Sequence, residues 1–198
     1  MTIKLPTQEQ VSDTAKKLGI TITKEDVGSF QALMQGYVDS YNVVDKMPDE
    51  LPKVTYPRTP GHRPEGNDNS LNAWAVKSEI KGASKGPLVG KTVALKDNVM
   101  VAGMGMTNGS STLDGYIPDI DATIVTRLLE AGATVKGKVH CECFCLSGGS
   151  HTSSFGNVHN PMKMGYSAGG SSSGSAAVVG AGDVDMAIGG DQGGSIRI

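Results

Sequence analysis

Across the C-terminal two thirds of the chain, short apolar runs alternate with segments of helical periodicity. Residues 92–95 have the pattern of a strand. From Asp121 the apolar residues recur at helical spacing until Gly132, and residues 134–136 again predict a strand. A strand, a crossover helix and a second strand make a βαβ unit, whose two strands run parallel.

The same alternation continues towards the C-terminal end. Residues 174–179 predict another helix and residues 186–189 another short buried strand. Buried strands separated by helices are typical of a sheet with helices on both of its faces. We therefore expect an α/β domain with a mostly parallel or mixed sheet.

The N-terminal part of the chain has a different pattern. Residues 7–18 predict a short helix, and a second, longer helix begins after Thr23, which forms a capping box with Asp26. The prolines and charges that follow predict an extended connection. The expected organisation is a helical segment over residues 1–46, a linker over residues 47–71 and the main domain over residues 72–198.

The charge balance argues against two classes of partner. Lys and Arg number 18 against 20 Asp and Glu, which gives a net charge of −2, and no basic stripe is present, so we expect no nucleic acid as partner. No run of about 18 apolar residues occurs and the first residues do not resemble a secretory signal, so we expect no membrane segment and a cytoplasmic protein.

Three cysteines stand at alternate positions next to His140: Cys141, Cys143 and Cys145. Their close spacing disfavours disulfides among them in a strand. Zinc sites usually draw ligands from two separate clusters, and no second cluster is present. We expect neither a metal nor another cofactor.

Two clusters of glycine and serine are the first indication of chemistry. They are GGSSSGS at residues 169–175 and DQGGSIR at residues 191–197, and they flank a predicted helix and strand. The chain has 27 glycines in 198 residues, roughly twice the average share of about 7%. Glycine permits turns in which several N–H groups converge, and such groups can hold an oxyanion.

A nucleophilic serine requires a base. Residues 170–174 match Gly-x-Ser-x-Gly, the nucleophile elbow of α/β-hydrolases, where the histidine follows the serine. All four histidines precede this motif. The α/β-hydrolase alternative therefore requires a histidine that lies beyond Ile198, and it stays open on that condition. Lysine can serve instead when its amine is neutral. Lys96 ends the apolar run 93–95, at the strand end where active sites collect in α/β sheets.

Three motifs in order resemble the amidase signature family. They are ALKDN at residues 94–98, the glycine-serine cluster at 169–175 and the loop at 191–198. The motif GDQGGS at residues 190–195 and the helical N-terminal segment are more similar to those of bacterial amidases that accompany nitrile hydratases. The resemblance implies that residues 72–198 are the N-terminal part of an amidase signature catalytic domain.

The resemblance also implies a role for each matching position. Ser195 matches the nucleophile that forms the acyl-enzyme, Ser171 matches the serine that relays the proton after a cis peptide bond, and Lys96 matches the base. The implied oxyanion hole consists of the N–H groups of Gln192, Gly193, Gly194 and Ser195. Independently of the family, we expect Asp191 and Arg197 to pair and to brace this loop.

The chain departs from the family pattern at several points. Ser173 replaces a glycine, and a side chain there could tighten the turn after Ser171. The sequence ends three residues after Ser195, whereas the family continues for hundreds of residues. We therefore expect an unbraced nucleophile loop and an inactive protein when these 198 residues stand alone.

The predicted function is hydrolysis of a small-molecule carboxylic amide to the acid and ammonia through a seryl acyl-enzyme. Two alternatives remain: the glutaminase subunit of a tRNA amidotransferase, and a fragment or binding module without activity. The sequence does not determine the oligomeric state, for which a homodimer is one option.

Overall fold

The computed structural model describes residues 3–198 and divides the chain into two compact units, Met1–Glu50 and Leu51–Ile198. The first unit holds two helices, α1 (Gln8–Lys17) and α2 (Lys24–Val44). Each begins at a threonine whose hydroxyl accepts a backbone hydrogen bond in a complete capping box, Thr7 for α1 and Thr23 for α2. Both predicted N-terminal helices are confirmed.

The second unit is built around a four-stranded mixed sheet. Its strands are β1 (Trp74–Lys81), β2 (Thr92–Lys96), β3 (Thr134–Val139) and β6 (Met186–Ile188), in the order β1-β3-β2-β6. Strand β2 runs parallel to both β3 and β6, and β1 runs antiparallel to β3. A separate two-stranded antiparallel sheet consists of β4 (His159–Asn160) and β5 (Lys163–Ser167).

Helices α3 (Thr123–Glu130) and α4 (Ser173–Gly180) lie on opposite faces of the larger sheet. Successive side chains of a strand point to opposite faces, and β2 shows this clearly. Val93 and Leu95 belong to the core beneath α3, whereas Ala94 belongs to the core beneath α4. Burial on both faces explains why β2 is an almost continuous apolar run, and it confirms the predicted α/β architecture.

The predicted βαβ unit corresponds to β2, α3 and β3. The helix predicted at residues 174–179 is α4, and the strand predicted at residues 186–189 is β6. The local sequence pattern does not predict β1, because its half-buried middle does not alternate cleanly and its register on β3 shifts twice. Every residue of β5 is exposed, which explains why no buried strand is recognisable there.

Candidate active site

Lys96 is the last residue of β2 and is completely buried. Its Nζ lies 2.7 Å from the Ser171 Oγ and 3.0 Å from the Ser172 Oγ. The carbonyl oxygen of Gly190 is 3.4 Å from the same amine. In residues 3–198 no carboxylate forms an ion pair with Lys96. The amine therefore faces two hydroxyl groups, which is the arrangement that a proton relay requires.

Ser171 stands just before α4 and is also completely buried. The peptide bond between Gly170 and Ser171 is cis, as the resemblance implied. The carbonyl oxygen of Ser171 accepts a hydrogen bond from the Glu142 N–H at 3.2 Å. Ser171 is thus positioned through its own backbone as well as through Lys96.

The loop that carries Ser195 is connected to the same place. The N–H of Ser172 donates to the Ser195 carbonyl oxygen at 3.1 Å, and the Ser172 hydroxyl donates to the Gly190 carbonyl oxygen at 3.2 Å. Ser195 is half-buried, and its hydroxyl has no hydrogen-bond partner among the described residues. The backbone contacts bring the Ser195 loop next to the Lys96 and Ser171 side chains.

Asp191 organises this loop. Its carboxylate accepts hydrogen bonds from the Gly194 N–H at 2.6 Å and from the Ile196 N–H at 3.3 Å, and it forms an ion pair with Arg197 at 2.8 Å. Arg197 is the main cause that holds the pKa of Asp191 well below its usual range. The predicted pairing of Asp191 with Arg197 is confirmed. The expectation of an unbraced loop is wrong, because the loop carries its own brace.

This brace changes the expected oxyanion hole. The Gly194 N–H is occupied by the Asp191 carboxylate, so in this structure it is not available to a ligand. Within the described chain, the N–H groups of Gln192, Gly193 and Ser195 have no hydrogen-bond partner. These three N–H groups can still bind an oxyanion. No feature of the sequence indicates that the Gly194 N–H already donates to Asp191.

Asp97 and Lys138 form a buried support behind the site. Their side chains make an ion pair at 2.8 Å, and both are almost completely buried. The other carboxylate oxygen of Asp97 accepts hydrogen bonds from the N–H and hydroxyl of Thr107 and from the Asn108 N–H. Burial lowers the pKa of Lys138, and the charge of Asp97 opposes this shift. Asp97 thereby fixes the loop after β2 next to Lys96.

Sequence reasoning missed the contribution of Glu142, a completely buried carboxylate. It accepts hydrogen bonds from the His151 N–H and from the N–H and hydroxyl of Thr152. Ser173, which replaces the family's glycine, donates to it at 3.1 Å. The extra hydroxyl of Ser173 therefore connects the start of α4 to the segment that also holds Ser171.

Ser172 is the residue that the elbow motif places in the nucleophile position. Its hydroxyl contacts Lys96 and the backbone of Gly190, and no histidine lies beside it among residues 3–198. His140 is buried with its Nδ1 2.8 Å from the Asn72 carbonyl oxygen, and burial lowers its pKa. The geometry of the described residues around Ser172 therefore favours lysine over histidine as the base.

Among residues 3–198, no group of three His, Cys, Asp or Glu side chains is arranged to hold a metal ion. None of the helices formed by these residues combines the length and the hydropathy that a membrane span requires.

Comparison with known proteins shows a consistent set of relatives. An enantioselective amidase of Rhodococcus rhodochrous is 44% identical over 195 residues, which are 98% of this chain and 38% of that protein. A glutamyl-tRNA(Gln) amidotransferase subunit of Haloarcula marismortui is 52% identical over 126 residues, which are 64% of this chain and 30% of that protein.

Two crystal structures share the fold. A glutamyl-tRNA(Gln) amidotransferase subunit of Thermotoga maritima is 38% identical with a TM-score of 0.61, over 66% of this chain and 29% of that chain. The peptide amidase of Stenotrophomonas maltophilia is 40% identical with a TM-score of 0.52, over 56% of this chain and 23% of that chain. This chain spans well under half the length of each relative.

The family model named Amidase matches residues 67–198, the segment that contains Lys96, Ser171 and Ser195. The relatives that cover this segment include amidases and amidotransferase subunits, and both of the solved neighbours described above share its fold. The chain therefore belongs to the amidase family, the group defined by the amidase signature.

Proposed function

We propose that the protein hydrolyses the C–N bond of a small carboxylic amide, with Ser195 as nucleophile, Ser171 as proton relay and Lys96 as base. The observation that carries the proposal is the buried contact of 2.7 Å between the Lys96 Nζ and the Ser171 Oγ, beside the loop of Ser195. A serine is a weak nucleophile until its proton is removed, and this contact offers the proton a destination.

The proton that Ser195 loses is held by the relay and is later returned to the leaving group. As the Ser195 oxygen attacks the amide carbon, its proton passes to the Ser171 oxygen, and the Ser171 proton passes to the neutral Lys96 amine. When the C–N bond breaks, the same path returns a proton to the leaving nitrogen, which departs as ammonia. A water molecule then attacks the acyl-enzyme by the same route and releases the acid.

Negative charge develops on the carbonyl oxygen in both steps. We assign its stabilisation to the N–H groups of Gln192, Gly193 and Ser195, since the Gly194 N–H already donates to Asp191. Removing one donor from such a site typically lowers the rate by about 100- to 1,000-fold. The fixed Asp191–Arg197 pair supports the proposal, because donors act only when their loop is held in place.

A serine-directed fluorophosphonate tests the nucleophile, and ammonia release from benzamide or propionamide tests the reaction. Both measurements are made on the 198-residue chain and on a form extended through the reading frame downstream of Ile198. We expect Ser195 of the extended form to be labelled and ammonia to be released. The Ser195→Ala variant of the same form is the matched control and should do neither. Failure of the extended form to react would favour a binding module.

The amidotransferase relatives support a second candidate, the glutaminase subunit of a tRNA amidotransferase. The identity of 52% to the Haloarcula marismortui protein is higher than that to the Rhodococcus rhodochrous amidase, but it covers 64% rather than 98% of this chain. The wider match, which includes the N-terminal unit, favours the amidase. Ammonia release from simple amides by the isolated protein would support the amidase, whereas activity on glutamine that requires a partner protein would support the amidotransferase.

Three further expectations stay predictions. They are the division into residues 1–46, 47–71 and 72–198, the cytoplasmic location and the option of a homodimer. The two compact units divide near residue 50 and the family match begins at residue 67, so both borders fall in the segment predicted as the linker.

A further inference from the structure

Two of the three cysteine thiols lie together at the edge of the site. Cys141 is buried and Cys145 is half-buried. Their Sγ atoms lie 3.7 Å and 3.3 Å from the same atom, the Asn108 Oδ1. Cys143 lies between them in sequence, and its N–H donates instead to the Thr152 hydroxyl. Among the described residues, Cys141 and Cys145 contact Asn108 through their thiols and Cys143 does not.

The backbone of residues 142–145 is held from two sides. The Phe144 N–H donates to the Asn108 carbonyl oxygen at 3.0 Å, and the Cys145 N–H donates to the Glu142 carbonyl oxygen at 2.9 Å. Phe144 and Cys145 both have positive φ, 47° and 61°, a conformation uncommon for residues with side chains. This turn brings the Cys145 thiol beside Lys96 and Ser171, with which it interacts.

The surroundings of the two thiols shift their pKa values in opposite directions. The neighbouring Cys141 thiol lowers the pKa of Cys145 to about 6, although burial opposes the shift. The Cys145 thiol, together with burial, raises the pKa of Cys141. Cys145 is therefore the more acidic of the two thiols. The Asn108 amide accepts from a thiol through its oxygen and, when rotated, donates to a thiolate through its nitrogen.

We propose that Cys145 is a redox modification site. Hydrogen peroxide oxidises its sulfur, and Cys141 then reacts with the oxidised sulfur to form an intramolecular disulfide. The pair stands next to Lys96 and Ser171, so the modification changes the immediate surroundings of the relay. The reactive group is the thiolate, and a nearby second thiol resolves the oxidised sulfur into a disulfide.

The chemistry balances with peroxide as the only oxidant. The Cys145 sulfur attacks one peroxide oxygen, the O–O bond breaks, and the departing hydroxide takes up a proton as water, which leaves a sulfenic acid. The Cys141 sulfur then attacks the sulfenic sulfur, the S–S bond forms, and the sulfenic hydroxyl leaves with the Cys141 proton as a second water. Two thiols lose two electrons in total, and one peroxide becomes two waters.

The expected effect of the disulfide on catalysis rests on the proposed function. The formation of the disulfide does not. In the disulfide, Cys145 carries no negative charge and bonds to Cys141 instead of interacting with Lys96 and Ser171. Fluorophosphonate labelling of Ser195 in the extended form is expected to fall on oxidation and to recover with dithiothreitol. If the disulfide forms and labelling does not change, the modification site stands and its link to the relay is wrong.

Peptide mapping tests the disulfide directly in the folded 198-residue chain. The protein is treated with hydrogen peroxide, free thiols are blocked with iodoacetamide, and the chain is cleaved after lysine and after glutamate. Cleavage after Glu142 separates Cys141 from the other two cysteines, so a disulfide from Cys141 joins two fragments. Fragmentation in the mass spectrometer identifies its partner. We expect Cys141 joined to Cys145.

Cys143→Ser is the matched control and should leave this disulfide unchanged, whereas Cys145→Ser and Cys141→Ser should abolish it. In the Cys141→Ser variant, Cys145 should accumulate as sulfenic acid, which dimedone traps. A disulfide from Cys141 to Cys143, or equal oxidation of all three cysteines in the folded wild-type chain, would overturn the proposal, and this wild-type readout does not depend on the folding of any variant.

The pH dependence supplies a second test. The titratable groups that face Cys145 are Cys141 from its own segment and Lys96 from β2. Oxidation should be roughly tenfold faster at about pH 7 than at about pH 5, because the thiolate fraction rises through the Cys145 pKa. Rates that rise only above about pH 8, as for an ordinary thiol, would contradict the proposed thiolate.

Discussion

At the scale of single residues, the proposed relay rests on the contact between Lys96 and Ser171. We predict that Lys96→Ala lowers turnover of the extended form by about three orders of magnitude or more, a loss typical of removing a group that transfers the proton. Lys96→Arg should be no better, because arginine is effectively never deprotonated and cannot accept the serine proton. Steady-state ammonia release measures both variants.

The control for this prediction is Lys91→Arg. Lys91 immediately precedes the same strand, but its side chain is half-exposed and pairs with Asp185. The substitution keeps that pair and should leave turnover within about twofold, as surface substitutions usually do. A Lys96→Arg enzyme with a near-normal rate would refute the relay.

Ser195 is the residue on which the acyl group should reside. We predict that a slow ester substrate leaves a covalent acyl adduct on Ser195 of the extended form, and that Ser195→Ala leaves none. Intact-protein mass spectrometry followed by peptide mapping makes the measurement. The buried Ser171 and Ser172 both contact Lys96, so they are the appropriate competitors. An adduct on either of them would contradict the assignment.

Single residues also show how far sequence reasoning reaches. The motifs that predict Lys96 and Ser171 are 75 positions apart, and the structure brings the two side chains to 2.7 Å. The engagement of the Gly194 N–H by Asp191 is not predictable, because a motif names residues and does not show which N–H groups are free. No sequence signal points to Cys145, since only the turn at residues 142–145 directs its thiol towards Lys96.

At the scale of elements, the start of α4 requires a residue without a side chain. A Cβ atom on Gly174 would lie 2.6 Å from the carbonyl oxygens of Ala73 and His140. Both are backbone atoms, so the helix would have to shift. We predict that Gly174→Ala destabilises the second unit by about 1–3 kcal/mol, the usual range for overpacking, as measured by the midpoint of urea unfolding followed by circular dichroism.

Val179→Ala in the same helix is the control for this measurement. Val179 is 42% exposed, and such a surface truncation should change stability by about 0.5 kcal/mol or less. If Gly174→Ala were as stable as this control, the close packing of α4 on the ends of β1 and β3 would not be rigid in solution. Displacement of α4 should also reduce labelling of Ser195, because α4 follows Ser171 directly.

The elements differ in how clearly the sequence encodes them. Strand β2 and helix α3 are recognisable because each buries a regular pattern, on both faces for β2 and on one face for α3. Strand β1 pairs with β3 across about 60 residues, and its two register shifts interrupt the alternation on which recognition depends. Its antiparallel direction follows from tertiary pairing, which a local pattern does not contain.

At the scale of the whole molecule, strand β6 forms one edge of the main sheet. Strand β6 is three residues long and pairs only with β2 in the described part of the chain, so its other edge is open. Beyond it, Ile196 and Ile198 are 59% and 66% exposed. An open strand edge next to apolar side chains promotes association between chains. The relatives, which are more than twice as long, supply further chain.

These features support the prediction that the 198 residues alone release little or no ammonia, although the relay residues are present. The Asp191–Arg197 pair and the contact from Ser172 to Ser195 brace the nucleophile loop from one side. The other side is open, because no described residue covers Gln192 or Gly193, which are both exposed. Donors must be held within about 0.5 Å of their productive positions, and Asp191 holds Gly194 and Ile196 but neither Gln192 nor Gly193.

The test compares the 198-residue chain with the extended form at equal concentration. Ammonia release from propionamide gives the rates, and light scattering reports association through the β6 edge. We expect turnover from the extended form alone, and more scattering from the short chain. The control is Ser195→Ala in both lengths, which separates catalysis by this site from contamination. Turnover by the short chain that Ser195→Ala abolishes would show that the bracing within residues 169–198 is sufficient to hold the oxyanion donors.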